Sequence, residues 1–155
     1  MVRIIQYSSK YREQTINLIK EVLESEFGFK VNKSKRPDLY DINEAYQKKG
    51  GNFWIALEKD EVIGTVGLLN YGKNRGFLKR MYVDKRYRGK GAAKKLLLEL
   101  INFAKNNNYK TIFVPTVEEM IAANKFYQKN GFKRIESLPE DFNLEEDTVF
   151  YRMDI

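Results

Sequence analysis

The chain has 155 residues, 43% of them apolar and 14% aromatic, which suits one ordinary domain with enough apolar surface to bury a core. Lys and Arg outnumber Asp and Glu by 28 to 21, and the resulting net charge of +7 invites an anionic ligand, a nucleic acid or a membrane surface. There is no Cys and no His, which excludes disulfides, thiolate nucleophiles, zinc fingers, imidazole bases and Ser-His triads.

In chain order, residues 2–7 read as a short first strand. Ile16, Leu18, Ile19, Val22, Leu23 and Phe27 recur at helical spacing, with Gly28 as a stop. A polar, basic connection follows over 30–37. Residues 38–49 read as a second short helix, with Leu39, Ile42 and Tyr46 on one side and Gly50-Gly51 at its end. Residues 52–58 and 61–71 are apolar β-rich runs joined by Lys59-Asp60, the pattern of a hairpin. A third run, 77–83, continues the meander. Residues 92–106 form a strong amphipathic helix with Leu96, Leu97, Leu100, Ile101 and Ala104 as its stripe. Then come a strand at 111–114, a helix at 119–129 stopped by Gly131, and two last strands at 132–135 and 148–153. No repeat or low-complexity linker divides the chain, so the expectation is one α/β domain over residues 1–155, in the order β-α-α-β-β-β-α-β-α-β-β. No apolar run approaches the roughly 20 residues of a membrane helix. The start, MVRIIQYSSK, lacks a signal peptide's apolar stretch, and a cytoplasmic protein is expected.

The charge is uneven. Lys79, Arg80, Lys85, Arg86, Arg88, Lys90, Lys94 and Lys95 face Asp84 alone within 79–95, and the remainder of the chain is balanced, so this segment holds the whole net charge. Conversely Glu136, Glu140, Asp141, Glu145, Glu146 and Asp147 occur in a stretch without a base. The strand at 77–83 is irregular too. Leu78, Met81 and Val83 share a face only if one residue is inserted near Lys79-Arg80. Either a β-bulge supplies it or the strand is irregular with solvated Lys79 and Arg80.

After that strand, Arg88-Gly89-Lys90-Gly91-Ala92-Ala93 runs straight into the amphipathic helix. Strand, glycine turn and helix N-terminus bind phosphate well, because amides there lack partners, the helix dipole favours an anion and glycine permits close approach. A solvated basic helix start is the alternative. The turn is neither a P-loop, since Gly91 follows Lys90 where Ser or Thr is needed, nor a dinucleotide fingerprint, since Lys94 stands in place of the third glycine.

This segment resembles motif A of the GCN5-related N-acetyltransferase (GNAT) superfamily, Gln/Arg-x-x-Gly-x-Gly/Ala, through Arg88, Gly91 and Ala93. Downstream, Asn124-Lys125-Phe126-Tyr127-Gln128-Lys129-Asn130-Gly131-Phe132 is similar to motif B, Asn-x-x-Phe-Tyr-x-x-x-Gly-Phe. The resemblance covers residues 53–132. It implies the acyl-CoA N-acyltransferase fold, a mixed sheet with a bulged, splayed central strand. It also implies acetyl-CoA as cosubstrate without a metal, and an amine acceptor. Pantetheine would pair with backbone groups of Met81, Tyr82 and Val83, and the pyrophosphate would sit on the amides of Arg88, Gly89, Lys90, Gly91, Ala92, Ala93 and Lys94. Lys85, Arg86 and Lys90 would add longer-range attraction. Asn124 would hold the pantetheine arm while the Tyr127 hydroxyl reaches the thioester sulfur; a packing role for Tyr127 is the alternative. Ala123 and Phe126 fall to the core.

Without Cys or His the simplest chemistry is direct attack of an amine on the thioester in a ternary complex, with a backbone N–H near Val83 or Met81 on the oxyanion and Tyr127 as acid. No acid lies in 78–83 or 111–116, and Glu118 and Glu119 suit a solvated helix start better than a base. The base is unassigned. The acidic stretch 136–147 suggests a small or cationic acceptor, with a solvated loop as the alternative. A CoA-binding sensor without catalysis and a basic nucleic-acid module are the rival classes, the second disfavoured because only Tyr82 and Tyr87 interleave the basic cluster. No membrane partner is expected, and either a monomer or a homodimer fits.

Overall fold

The computed structural model describes residues 1–139 and 147–155. Strand β1 is Val2–Gln6, followed by helix α1, Arg12–Lys20, which widens into a π-helical turn over Glu21–Glu26. Gly28, at φ +73°, closes this helix as expected, with Phe29 N–H donating back to the Leu23 carbonyl at 2.9 Å. The predicted helix over 38–49 is broken. Pro37–Tyr40 and Gln47–Lys49 are 3₁₀ turns flanking a single α-turn, α2, Ile42–Ala45. Asp41 is the reason for the break: it is extended at φ −151° and caps α2 by accepting the Glu44 N–H at 3.2 Å, so the chain restarts there instead of running through.

Strands β2 (Asn52–Glu58), β3 (Glu61–Asn70) and β4 (Arg75–Val83) form the predicted antiparallel meander. Helix α3 (Ala92–Asn106), β5 (Thr111–Thr116), α4 (Ile121–Lys129), β6 (Lys133–Ile135) and β7 (Val149–Asp154) complete the order read from the sequence. The seven strands lie in one mixed sheet, β1-β2-β3-β4-β5-β7-β6, in which β7 inserts between β5 and β6. Among the described residues no helix is long and apolar enough to cross a membrane.

Alternation along β2 shows how the sheet is covered. Phe53, Ile55 and Leu57 pack with Ile19, Val22 and Leu23 of the α1 side, while Trp54 and Ala56 pack with Leu96, Leu97 and Leu100 of α3 on the other face. Each fully buried leucine of that α3 stripe contributes on the order of 2 kcal/mol. Gly67 has no room for a side chain, because a Cβ there would lie 2.8 Å from both the Phe53 and Tyr46 rings.

The irregularity predicted in β4 is a β-bulge. Gly67 pairs with Lys79 and Thr65 with Tyr82, so Arg80 and Met81 together oppose Val66. Arg80 is left-handed at φ +58°, and Leu78, Met81 and Val83 accordingly reach one core face. The parallel pairing of β4 with β5 ends at Phe77–Phe113, and beyond it the two strands part.

Candidate active site

The parting of β4 and β5 opens two cavities, each of about 460 Å³. Met81, Tyr82, Met120 and Ala123 line both, so the cavities meet at the bulged strand and the start of α4. Successive N–H groups of a strand point to opposite edges. Asp84 N–H donates to the Ile63 carbonyl of β3 at 2.8 Å, which turns the N–H groups of Val83 and Met81 towards the side that β5 has left.

One cavity is lined by Val83, Arg88, Gly89, Gly91, Ala92, Ala93 and Lys94. Among the described residues none of the amides over residues 89–94 meets a backbone acceptor, and the first such bond is Lys95 N–H to the Gly91 carbonyl at 3.1 Å. Gly89 and Gly91 are left-handed, at φ +77° and +88°, with nothing within 4 Å of where a Cβ would stand. Positive-φ turns ahead of a helix N-terminus and free amides around open space form a nest that fits a pyrophosphate. Lys90 is the exception among the predicted contacts. It is not among the lining residues, and its ammonium lies over the Tyr87 ring at 5.7 Å. Arg88 is held on one side by Glu26, at 2.7 and 2.8 Å, and on the other by the Val83 carbonyl, which accepts from Nε at 2.8 Å. Arg86 is paired with Asp84 and Glu61.

The other cavity is charged. Lys35, Arg36, Asp38, Lys79, Arg80 and Asp147 line it, together with Tyr127. Arg80 and Asp38 form a two-pronged ion pair at 2.9 Å for each contact, with Arg80 only 8% exposed, and the Tyr46 hydroxyl donates to Asp38 at 2.6 Å. Burial works against the Asp38 carboxylate, but the hydrogen bonds and charge of Arg80 outweigh it and hold the carboxyl at about 2. Such a weak base does not take a proton from an amine, so Asp38 is structural. Sequence reasoning missed Asp38 and Tyr46; the one signal was a charged pair, Lys79-Arg80, inside an apolar strand. Of the predicted acidic stretch, residues 140–146 lie outside the described residues, Glu136 is exposed, and Asp147 lines this cavity. Glu118 pairs with Arg134 at 2.6 Å, and neither Glu118 nor Glu119 lines either cavity.

Tyr127 is 4% exposed, with its ring against Phe126, Phe132 and Tyr151. Burial, with the Tyr82 and Tyr151 hydroxyls nearby, pushes its phenol well above the usual tyrosine value, so the hydroxyl keeps its proton. Asn124 is placed differently from the expectation. Its amide donates to the Val117 and Met120 carbonyls at 2.9 and 2.8 Å and accepts from the Tyr151 hydroxyl at 2.8 Å. It lines neither cavity, and what it does is pin the start of α4 to the end of β5. Ala123 and Phe126 pack against the core and also line the nest cavity.

The sequence profile of the Acetyltransferase (GNAT) family matches residues 16–132. The chain belongs to that family. By family it is an acyltransferase. A crystal structure of a GNAT-family acetyltransferase from Staphylococcus aureus Mu50 superposes with a TM-score of 0.94 at 35% identity, covering 99% of each chain. The PaiA N-acetyltransferase of Thermoplasma acidophilum, crystallised in complex with coenzyme A, shares the fold at a TM-score of 0.80 and 18% identity, covering 100% of this chain and 99% of that one. N-acetylaspartate synthetase of Xenopus tropicalis is 41% identical over 102 residues, 64% of this chain but 38% of the relative. The chain thus spans about two fifths of that relative's length. The GNAT fold inferred from motifs A and B is the fold observed, bulge and splay included.

Proposed function

We propose that this GNAT protein moves an acetyl group from acetyl-CoA to a primary amine by direct attack with both substrates bound. The observation that carries this reading is the meeting of two cavities at Met81 and Tyr82, one ending in a phosphate nest and the other charged. Acetyl-CoA supplies an activated thioester carbonyl, at which an amine nitrogen forms the new C–N bond as the C–S bond breaks. The amides of the nest and Lys94 hold the pyrophosphate, with Arg88 beside them. Backbone groups of Met81, Tyr82 and Val83 hold the pantetheine arm, and the N–H of Val83 or Met81 donates to the carbonyl oxygen as it gains charge. The nitrogen loses one proton and the departing sulfur gains one. Tyr127, which lines the acceptor-side cavity, acts as a relay, passing its proton to the sulfur as it takes the nitrogen's, so that no free phenolate forms. Asn124 acts as a positioning residue that sets the height of α4, and with it Tyr127.

The relatives named N-acetylaspartate synthetase make, by that name, an acetylated amino acid. A small amine is the acceptor class that this points to here. Calorimetric titration with acetyl-CoA, followed by a thiol-release screen across amine classes, tests the assignment, and failure to bind acetyl-CoA overturns it. Binding without turnover of any amine would instead support a CoA-sensing protein. Tyr127→Phe is expected to lower kcat by about 10²-fold with acetyl-CoA affinity retained. Full activity in that variant would leave Tyr127 with packing alone.

A further inference from the structure

We infer that Lys79 binds a carboxylate of the acceptor, so that the substrate is an amine carrying an acid group, such as an amino acid, in place of the cationic amine suggested by the acidic stretch. The inference rests on the acetyltransferase reading and adds the substrate class. Six charged residues line the acceptor-side cavity, and they divide unevenly. Asp38 and Arg80 neutralise each other in their two-pronged pair. Arg36 and Asp147 are both engaged, which leaves Lys35 and Lys79. The cavity is therefore a cationic one over its described residues.

Lys79 is the cation best placed. It stands immediately before the bulge of β4, two residues from Met81, where the two cavities meet. Its ammonium has no salt-bridge partner among the described residues, and the neighbouring guanidinium is paired with Asp38 through Nε and Nη2. Burial draws the Lys79 pKa below the ordinary lysine value, and the Arg80 charge adds to this, with Asp38 and Asp147 opposing. To an ammonium that lacks a counter-ion among the described residues, an incoming carboxylate supplies both an opposite charge and charge-assisted hydrogen bonds. A cationic amine would meet like charge instead.

The test measures acetyl-CoA binding first, and then binding and acetylation of the common L-amino acids, each beside its amide, with putrescine as the cationic probe. Wild type is expected to prefer at least one acid to its amide by tenfold or more. Lys79→Met should erase most of that preference through KM, Lys79→Arg should restore much of it, and Lys105→Met, on the exposed end of α3, should leave it as it is. Preference for putrescine, absence of any acid-over-amide preference, or equal loss on acids and amides in Lys79→Met overturns the inference. Loss of acetyl-CoA binding with acid binding intact sinks the acetyltransferase reading, whereas acetyl-CoA turnover without acid preference sinks only the assignment of Lys79.

Discussion

Asp38→Ala is expected to cost the fold about 3–5 kcal/mol, because it leaves the Arg80 guanidinium buried without a counter-ion. For a chain of this size that corresponds to a fall in Tm of roughly 10 °C, large against the marginal stability of a single domain. The pair does more than neutralise charge. A non-glycine residue in the left-handed region costs about 1–2 kcal/mol, and Arg80 stays there because Asp38 grips its side chain and Thr65 Oγ1 donates to its carbonyl at 2.7 Å. Removing Asp38 therefore loosens the bulge on which both cavities depend, and acceptor KM should rise along with the loss of stability. The double variant Asp38→Leu with Arg80→Met should recover much of the stability, since apolar replacements for a buried pair are often neutral. If the single variant melts within 2 °C of wild type, the pair is not what holds the bulge.

The same pair sets an acid limit. The folded Asp38 carboxyl sits at about 2, below its unfolded value, so its contribution is fully present above about pH 4 and is lost as pH falls towards 2. The stabilisation at stake is about 2 kcal/mol at neutral pH. Urea midpoints measured between pH 5 and pH 2 should fall more steeply for wild type than for Asp38→Asn, and parallel curves would contradict the linkage.

What the sequence made legible was local. The hairpin at Lys59-Asp60, the α3 stripe and the bulge each follow from a few neighbouring residues whose periodicity has one solution, and the nest is a contiguous turn. Helix 38–49 failed because Asp41 restarts the chain as an N-cap inside an apolar pattern that still reads as one helix, and the pairing of Asp38 with Arg80, 42 residues away, is something no local pattern encodes. The insertion of β7 between β5 and β6 was equally invisible, as strand order depends on which edge the chain finds open. The acceptor side was the hardest part. Its charged lining comes from residues 35–38, 79–80 and 147, three pieces whose signs mean little until the fold brings them together. Asn124 shows the converse limit. The motif points to it as a site residue, whereas its amide bonds to the Val117 and Met120 carbonyls and the Tyr151 hydroxyl, partners that motif spacing does not reveal.

Gly91→Glu is expected to weaken acetyl-CoA binding more than 100-fold, at least about 2.7 kcal/mol, while the protein stays folded. The structure separates these two effects. A Cβ at Gly91 meets nothing within 4 Å, so the substitution causes no clash, and its intrinsic cost is about 1 kcal/mol for a side chain at φ +88°. Placed at the N-cap of α3, the new carboxylate also gains from the helix dipole and from the free amides of residues 92–94, which offsets part of that cost. It gains by occupying the seat proposed for the pyrophosphate, and a dianionic ligand must then displace a tethered anion from the same donors. Gly91→Ala isolates the backbone contribution: it carries the conformational strain without the charge, and its affinity loss should stay within about tenfold. Calorimetry with acetyl-CoA and a thermal melt on both variants distinguish the cases. Tight binding by a folded Gly91→Glu would mean that the phosphates lie elsewhere, and the net charge of +7, all of it within residues 79–95, would need another explanation.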